Sequence, residues 1–149
     1  MPAPHYRRPG WVTRHLFNPL VTALARLGLA LADMHTLAVR GRRSGEVRTT
    51  PVNPFELDGQ TYLLAPRGET EWVRNLRAAG EGELRGARTR RFRAVEVTEA
   101  TEKLPLLRLY VDRWSWEVGA LMGIDPESPD DVLLQAAPRH PAFRLTFVD

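Results

Sequence analysis

Leu20, Leu24, Leu27 and Leu31 recur at helical spacing and predict an amphipathic helix of about four turns. Asn18 as cap and Pro19 at the first helical position open it. Its apolar face is expected to pack on the domain's own core, with contact to a membrane surface as the alternative, assisted by Arg7, Arg8 and Arg14. From His35 the pattern shortens into extended runs. Thr36 to Arg40 reads as a strand that ends at Gly41-Arg42-Arg43-Ser44-Gly45. Arg48 to Phe55 resumes as an edge or bulged strand, since Pro51 and Pro54 cannot donate to a ladder. Asp58-Gly59 marks a hairpin and Thr61 to Ala65 its returning strand.

After the loop Pro66-Arg67-Gly68, Thr70 caps a predicted helix over Glu71 to Ala79, and Gly80 stops it. Two strands follow, Glu83 to Gly86 and Thr89 to Val97. A helix from Thr98 to about Trp116 comes next, with Pro105 either kinking it or marking its first turn. Gly119 to Pro138 shows no clean period, and Phe143 to Phe147 alternates as a last strand. Strands with a helical insertion, then a helix and a closing strand, predict an α+β domain built on a barrel-like sheet. Residues 1–16, with Pro2, Pro4, Pro9 and Gly10, read as an arm, and residues 17–149 as one domain.

Composition narrows the chemistry. With 0 Cys in 149 residues, thiol catalysis, cysteine-ligated zinc, iron–sulfur clusters and disulfides are excluded. The formal net charge is +3, and Lys103 is the sole lysine, so the basic side chains are nearly all arginine. Arginine forks suit phosphate and carboxylate, although a GC-rich genome would give the same bias. No charged–apolar–small leader and no run of 18 apolar residues is visible, so the expected location is the cytoplasm.

The densest constellation is Gly41-Arg42-Arg43-Ser44-Gly45-Glu46-Val47-Arg48-Thr49-Thr50-Pro51. Two glycines permit a tight turn with exposed N–H groups. Three guanidinium groups and the hydroxyls of Ser44, Thr49 and Thr50 surround it. Such a set suits an anion; a solvated basic β-turn is the plainer reading. No lysine stands where a phosphate-hydrolysing P-loop needs one.

This stretch resembles the signature of the deazaflavin-dependent nitroreductase family, F420-dependent oxidoreductases of the FMN-binding split-barrel superfamily. The resemblance continues through Asp58-Gly59, Tyr62-Leu63-Leu64-Ala65 and Trp72-Val73-Arg74-Asn75-Leu76-Arg77-Ala78. His140-Pro141-Ala142-Phe143-Arg144-Leu145 and the lead-in Phe17-Asn18-Pro19-Leu20 also fit, so it spans about Phe17 to Phe147. It implies a split β-barrel of about six antiparallel strands, with the N-terminal helix and other helices flanking it, wrapped around coenzyme F420. By the same resemblance Arg42, Arg43, Ser44 and Arg48 grip the phosphate and acidic tail of the cofactor. Thr49, Thr50 and Pro51 run beside the deazaflavin ring, and Ala65, Pro66, Arg67 and Gly68 match the loop on its other side. Trp72 and Asn75 match positions that close the groove.

Two departures stand out. Relatives carry a Gly-Gly pair and a longer loop before the tryptophan, whereas Gly68 here runs directly into Glu69-Thr70-Glu71, placing acids beside the anion site. Where some relatives place a substrate-orienting tyrosine, this chain has Asn53 and Phe55, so a tyrosine role passes to Tyr110. The implied activity is hydride transfer between deazaflavin and a small organic substrate: an activated alkene, a quinone or a nitro compound. FMN in the same barrel is the alternative cofactor, and a non-catalytic F420 carrier the alternative role. Monomer and homodimer are both compatible with the sequence.

Other motifs weigh less. Gly80-Glu81-Gly82-Glu83-Leu84-Arg85-Gly86 misses dinucleotide-fingerprint spacing and carries acids, so it reads as a hairpin lead-in. His5, His15, His35 and His140 lack metal-ligand spacing, so no metal is expected. No Gly-x-Ser-x-Gly elbow is present. Arg88, Arg90, Arg91 and Arg93 around Phe92 read as a half-buried strand with a solvated basic face, and no nucleic-acid partner is expected. Trp114, Trp116, Leu121 and Met122 suit either an apolar substrate pocket or core packing.

Overall fold

The computed structural model describes residues 35–148, apart from the side chains at 115–120. The predicted arm and N-terminal helix, with its core or membrane face, lie outside the described residues.

Seven strands form one antiparallel sheet. In chain order β1 is His35–Arg40, β2 Val47–Val52, β3 Phe55–Leu57 and β4 Gln60–Leu64. After helix α1, Glu71–Ala79, come β5, Glu81–Arg85, and β6, Thr89–Val97. Helix α2, Ala100–Met122, helix α3, Asp130–Ala136, and a single 3₁₀ turn, Ala137–Arg139, precede β7, Ala142–Phe147.

The spatial order is β2-β1-β5-β6-β7-β4-β3. Strands β2 and β3 are therefore the two edges of the sheet, yet only Asn53 and Pro54 separate them in the chain. From Val52 to Phe55 the backbone can reach no further than roughly 11 Å. A seven-stranded flat sheet could not bring its edges that close, so the sheet must curl on itself into a split barrel. The resemblance implied about six strands; the stretch expected as one strand from Arg48 to Phe55 is divided. Pro54 has no N–H to continue a ladder, and the chain uses that break to cross from one edge to the other.

Alternation along β4 sorts the core. Tyr62 and Leu64 join Val97, Leu106, Tyr110, Trp114 and Leu133 in a cluster between sheet and helices α2 and α3. Leu63 and Ala65 point the other way, into a second cluster with Leu37, Val39, Val73, Leu76, Phe92 and Phe143. A strand buried on both faces needs an unbroken apolar run, which Tyr62-Leu63-Leu64-Ala65 supplies. The Asp58-Gly59 turn is made with φ of 53° and 80°, the pair of positive values that a two-residue hairpin favours. Gly80 ends α1 at φ 72°, its N–H bonding Leu76 O at 2.8 Å.

Helix α2 continues past the predicted Trp116 to Met122 and runs through Pro105. Its break falls at Trp114 (φ −124°, ψ 26°). Along β6, Phe92 is buried while Arg91 and Arg93 face solvent, and the Arg90 guanidinium lies 3.6 Å from the Phe147 ring centre. The basic strand is thus half-buried, as its alternation predicts. Among the described residues no helix is long and apolar enough to cross a membrane.

Candidate functional site

The basic motif closes on itself before it meets anything else. Gly41 N–H donates to Glu46 O at 2.7 Å, and Gly45 N–H to Gly41 O at 3.0 Å. Glu46 N–H donates to Ser44 Oγ at 3.1 Å, and the Arg40 guanidinium reaches Gly45 O at 2.7 Å. A Cβ on Gly41 would stand 3.0 Å from Ser44 Oγ and 3.1 Å from Glu46 O, so glycine lets the turn fold this tightly.

Helix α1 fixes the turn to the barrel. Asn75 is 4% exposed, and its Oδ1 accepts the Arg42 backbone N–H at 3.1 Å and Arg42 Nη1 at 2.8 Å. The same Nη1 lies 3.0 Å from Glu71 Oε1. The hydrogen bond from Arg42 and its positive charge hold the Glu71 carboxyl below the usual carboxylate range. Glu69 is likewise held low, first by its hydrogen bond from Arg77, which also grips Glu96. The acids of the shortened loop therefore each meet an arginine.

Beside the turn opens a cavity of about 900 Å³. Its lining takes Arg42, Arg43, Ser44, Arg48, Thr49, Thr50 and Pro51 from the turn and β2, and Pro66, Arg67, Thr70, Glu71, Trp72 and Asn75 from the next loop and α1. The side chains of Arg43, Arg48 and Arg67 are exposed and make no hydrogen bond or ion pair with another described residue, although the Arg43 charge still helps hold the Glu71 carboxyl low. Val39, Val52, Leu64 and Leu121 give the remaining lining an apolar character, with Asn53 at the β2–β3 link and Tyr110 from α2. Tyr110 is 3% exposed, its ring 4.7 Å from that of Trp114 and 5.6 Å from that of Phe55. Trp72 leans on Phe143 at 6.1 Å, which ties the helix side of the cavity to β7.

Tyr110 lines this cavity, and so do all the residues matched to the cofactor site by the resemblance except Ala65 and Gly68. Those two sit behind its wall. Ala65 is fully buried, its N–H bonding Pro141 O at 2.8 Å and its carbonyl accepting Gly68 N–H at 3.1 Å. Gly68 has φ of 84°, and a Cβ there would meet Arg139 O at 3.0 Å. Trp114 and Met122 belong to the core, whereas Leu121 reaches the cavity. The apolar lining from Val39, Val52 and Leu64 carried no local signal, because a strand residue facing a cavity and one facing the core have the same spacing. No group of metal-ligating side chains occurs among the described residues.

From residue 20 to residue 120 the sequence matches the F420H(2)-dependent quinone reductase family. The chain belongs to that family. No curated protein sequence matches this family member. Solved structures with the same fold include a candidate 5-nitroimidazole antibiotic resistance protein from Bacteroides thetaiotaomicron. It is 12% identical with a TM-score of 0.56, the match covering 84% of this chain and 80% of that one. A conserved hypothetical protein from Mycobacterium tuberculosis is 17% identical at TM-score 0.56, covering 86% and 80% of the two chains. A candidate pyridoxamine 5′-phosphate oxidase from Listeria innocua is 9% identical at TM-score 0.55, covering 89% and 95%. At these identities the likeness is one of fold.

The residues present fit the cofactor that the family's description names. Three guanidinium groups with no hydrogen bond to a described side chain face one cavity, as a ligand with phosphate and carboxylate groups requires. The apolar lining of the cavity offers a surface on which a flat ring can lie.

Proposed function

We propose that the protein is an F420-dependent oxidoreductase that moves a hydride between deazaflavin and a small organic acceptor: a quinone, an activated alkene or a nitro compound. The observation that carries this reading is one cavity lined both by exposed arginines and by apolar side chains. Arg43, Arg48 and Arg67, with Ser44, would hold the phosphate and acidic tail, while Thr49, Thr50 and Pro51 would flank the ring. Arg42 and Asn75 act by fastening the turn, and Trp72 closes the groove. When bound, F420 supplies the two-electron chemistry; the protein binds, orients and excludes water. No covalent nucleophile is required. Tyr110, in the same lining, would hold or supply a proton through its hydroxyl.

The test is a fluorescence titration of the purified protein with oxidised F420 and, in parallel, FMN, followed by an acceptor screen with reduced F420. Micromolar or tighter F420 binding, weaker FMN binding and turnover of at least one acceptor are expected. Tighter FMN binding would replace the cofactor. Tight F420 binding without turnover across the screen would make the protein a carrier, and binding of neither would end the reading.

A further inference from the structure

Behind the wall that presents Arg67 lies a buried polar group that the proposed chemistry does not use. His140 is 5% exposed. Its Nδ1 lies 3.1 Å from Ala65 O, and a carbonyl oxygen can only accept, so Nδ1 carries the proton. Its Nε2 is buried and makes no hydrogen bond to any described residue. Ala65 O thus receives two donors, His140 Nδ1 and Gly68 N–H, at 3.1 Å each. Ala65 N–H reaches Pro141 O on the same segment. The 65–68 turn is pinned at its root, and Pro66 and Arg67 at its tip reach the cavity.

The other side of His140 is anchored as well. Its backbone N–H donates to Ala137 O at 3.1 Å, and that oxygen also accepts the Nζ of Lys103 from α2, itself 5% exposed. The chain of contacts therefore runs from α2 through the 3₁₀ turn to the imidazole and on to the 65–68 turn. We infer that His140 is a positioning residue: as a neutral, Nδ1-protonated imidazole it fixes the 65–68 turn and so aims Arg67 into the cavity. The role in aiming Arg67 at a ligand rests on the F420 reading; the pinning of the turn does not.

The surroundings favour the neutral ring. Burial lowers the His140 pKa below its usual 6.5, its hydrogen bond to Ala65 opposes this, and the charges of Arg139 and Lys103 lower it further. Lys103 is itself lowered by burial, with Glu96 of β6 acting in the other direction. A second proton would sit on Nε2, where no described acceptor waits.

The test pairs His140→Asn, whose side-chain amide places an N–H near the Nδ1 position, with His140→Leu, which fills the space and donates nothing. Hydrogen exchange of the Ala65 and Gly68 amides is measured in the free protein at neutral pH. His140→Leu is expected to speed both by about tenfold and His140→Asn to leave them near wild type. In F420 titrations, His140→Leu should weaken binding about as much as Arg67→Ala, and the double variant no more than either alone. Equal exchange in all three proteins, or additive losses in the cycle, would overturn the inference. If His140→Leu does not fold, exchange in wild type against His140→Asn decides between pH 7.5 and about pH 5.5. Loss of protection at the lower pH in wild type alone, measured against the slower intrinsic exchange there, supports the role, and identical protection removes it. Absence of F420 binding in the wild type would sink the cofactor reading and leave the exchange comparison to judge the turn.

Discussion

Arg42 differs from Arg43 and Arg48 by its position on one short stretch, and the three side chains end in different chemical situations. Arg42 is held twice by Asn75 Oδ1 and once by Glu71, so its charge is balanced and its geometry fixed. Arg43 and Arg48 face the cavity with no hydrogen bond from their guanidinium groups to a described residue, Arg43 acting on Glu71 only through its charge. The difference follows from where α1 passes. Its buried Asn75 can satisfy one neighbour, and the backbone N–H of Arg42 selects which. An arginine cluster is therefore two things at once: a fastener that shapes the turn, and guanidinium groups that the turn leaves open to a ligand.

The most damaging substitution should be on the fastened side. Asn75→Leu removes the acceptor for a backbone N–H and a guanidinium together, and stability should fall by about 2–3 kcal/mol in urea unfolding. Next, Arg48→Ala should leave stability within about 0.5 kcal/mol while F420 affinity falls roughly tenfold to hundredfold by fluorescence titration. A matching loss of stability in that variant would erase the distinction between the two kinds of arginine. Arg43→Ala should behave like Arg48→Ala.

Acidification acts on the wall that carries Arg67. Because the folded-state pKa of His140 is lowered, the unfolded chain binds the extra proton more readily. Its contribution to stability is complete above about pH 6.5 and drains away as the pH falls below that value through the lowered pKa. Urea midpoints recorded across that window should drop in wild type and drop less in His140→Asn. The smallest effect belongs to Glu71→Gln. Arg42 keeps Asn75 but loses its counter-charge, so the urea midpoint should hold and anion binding tighten by a few-fold at most.

Much of this was readable in the chain because it is local. The Asp58-Gly59 hairpin, the helix Glu71–Ala79 with its glycine stop, and the basic turn each depend on residues within a few positions of one another. The division of β2 from β3 was only half visible: Pro51 and Pro54 mark an edge, but that two edges meet across them is a property of the whole strand order. The length of α2 and the existence of α3 escaped because residues such as Met122, Ile124, Leu133 and Ala137 pack against the sheet in short pieces with no sustained period. Which arginine is fastened could not be read at all, since Asn75 lies 33 positions from Arg42. The same holds for His140, whose partner Ala65 is 75 positions away.

The closure of the barrel at Asn53 and Pro54 bears on how such a protein diversifies. Elsewhere the sheet is a ladder, and a residue inserted into one strand throws its neighbours out of register. At the seam the two edges are joined by a covalent tether, and no register has to be kept between them. Asn53 lines the cavity at that tether. Lengthening the link would therefore resize the chamber while leaving every rung intact, which makes the seam the place where a lineage can alter what it accommodates at little risk to its fold.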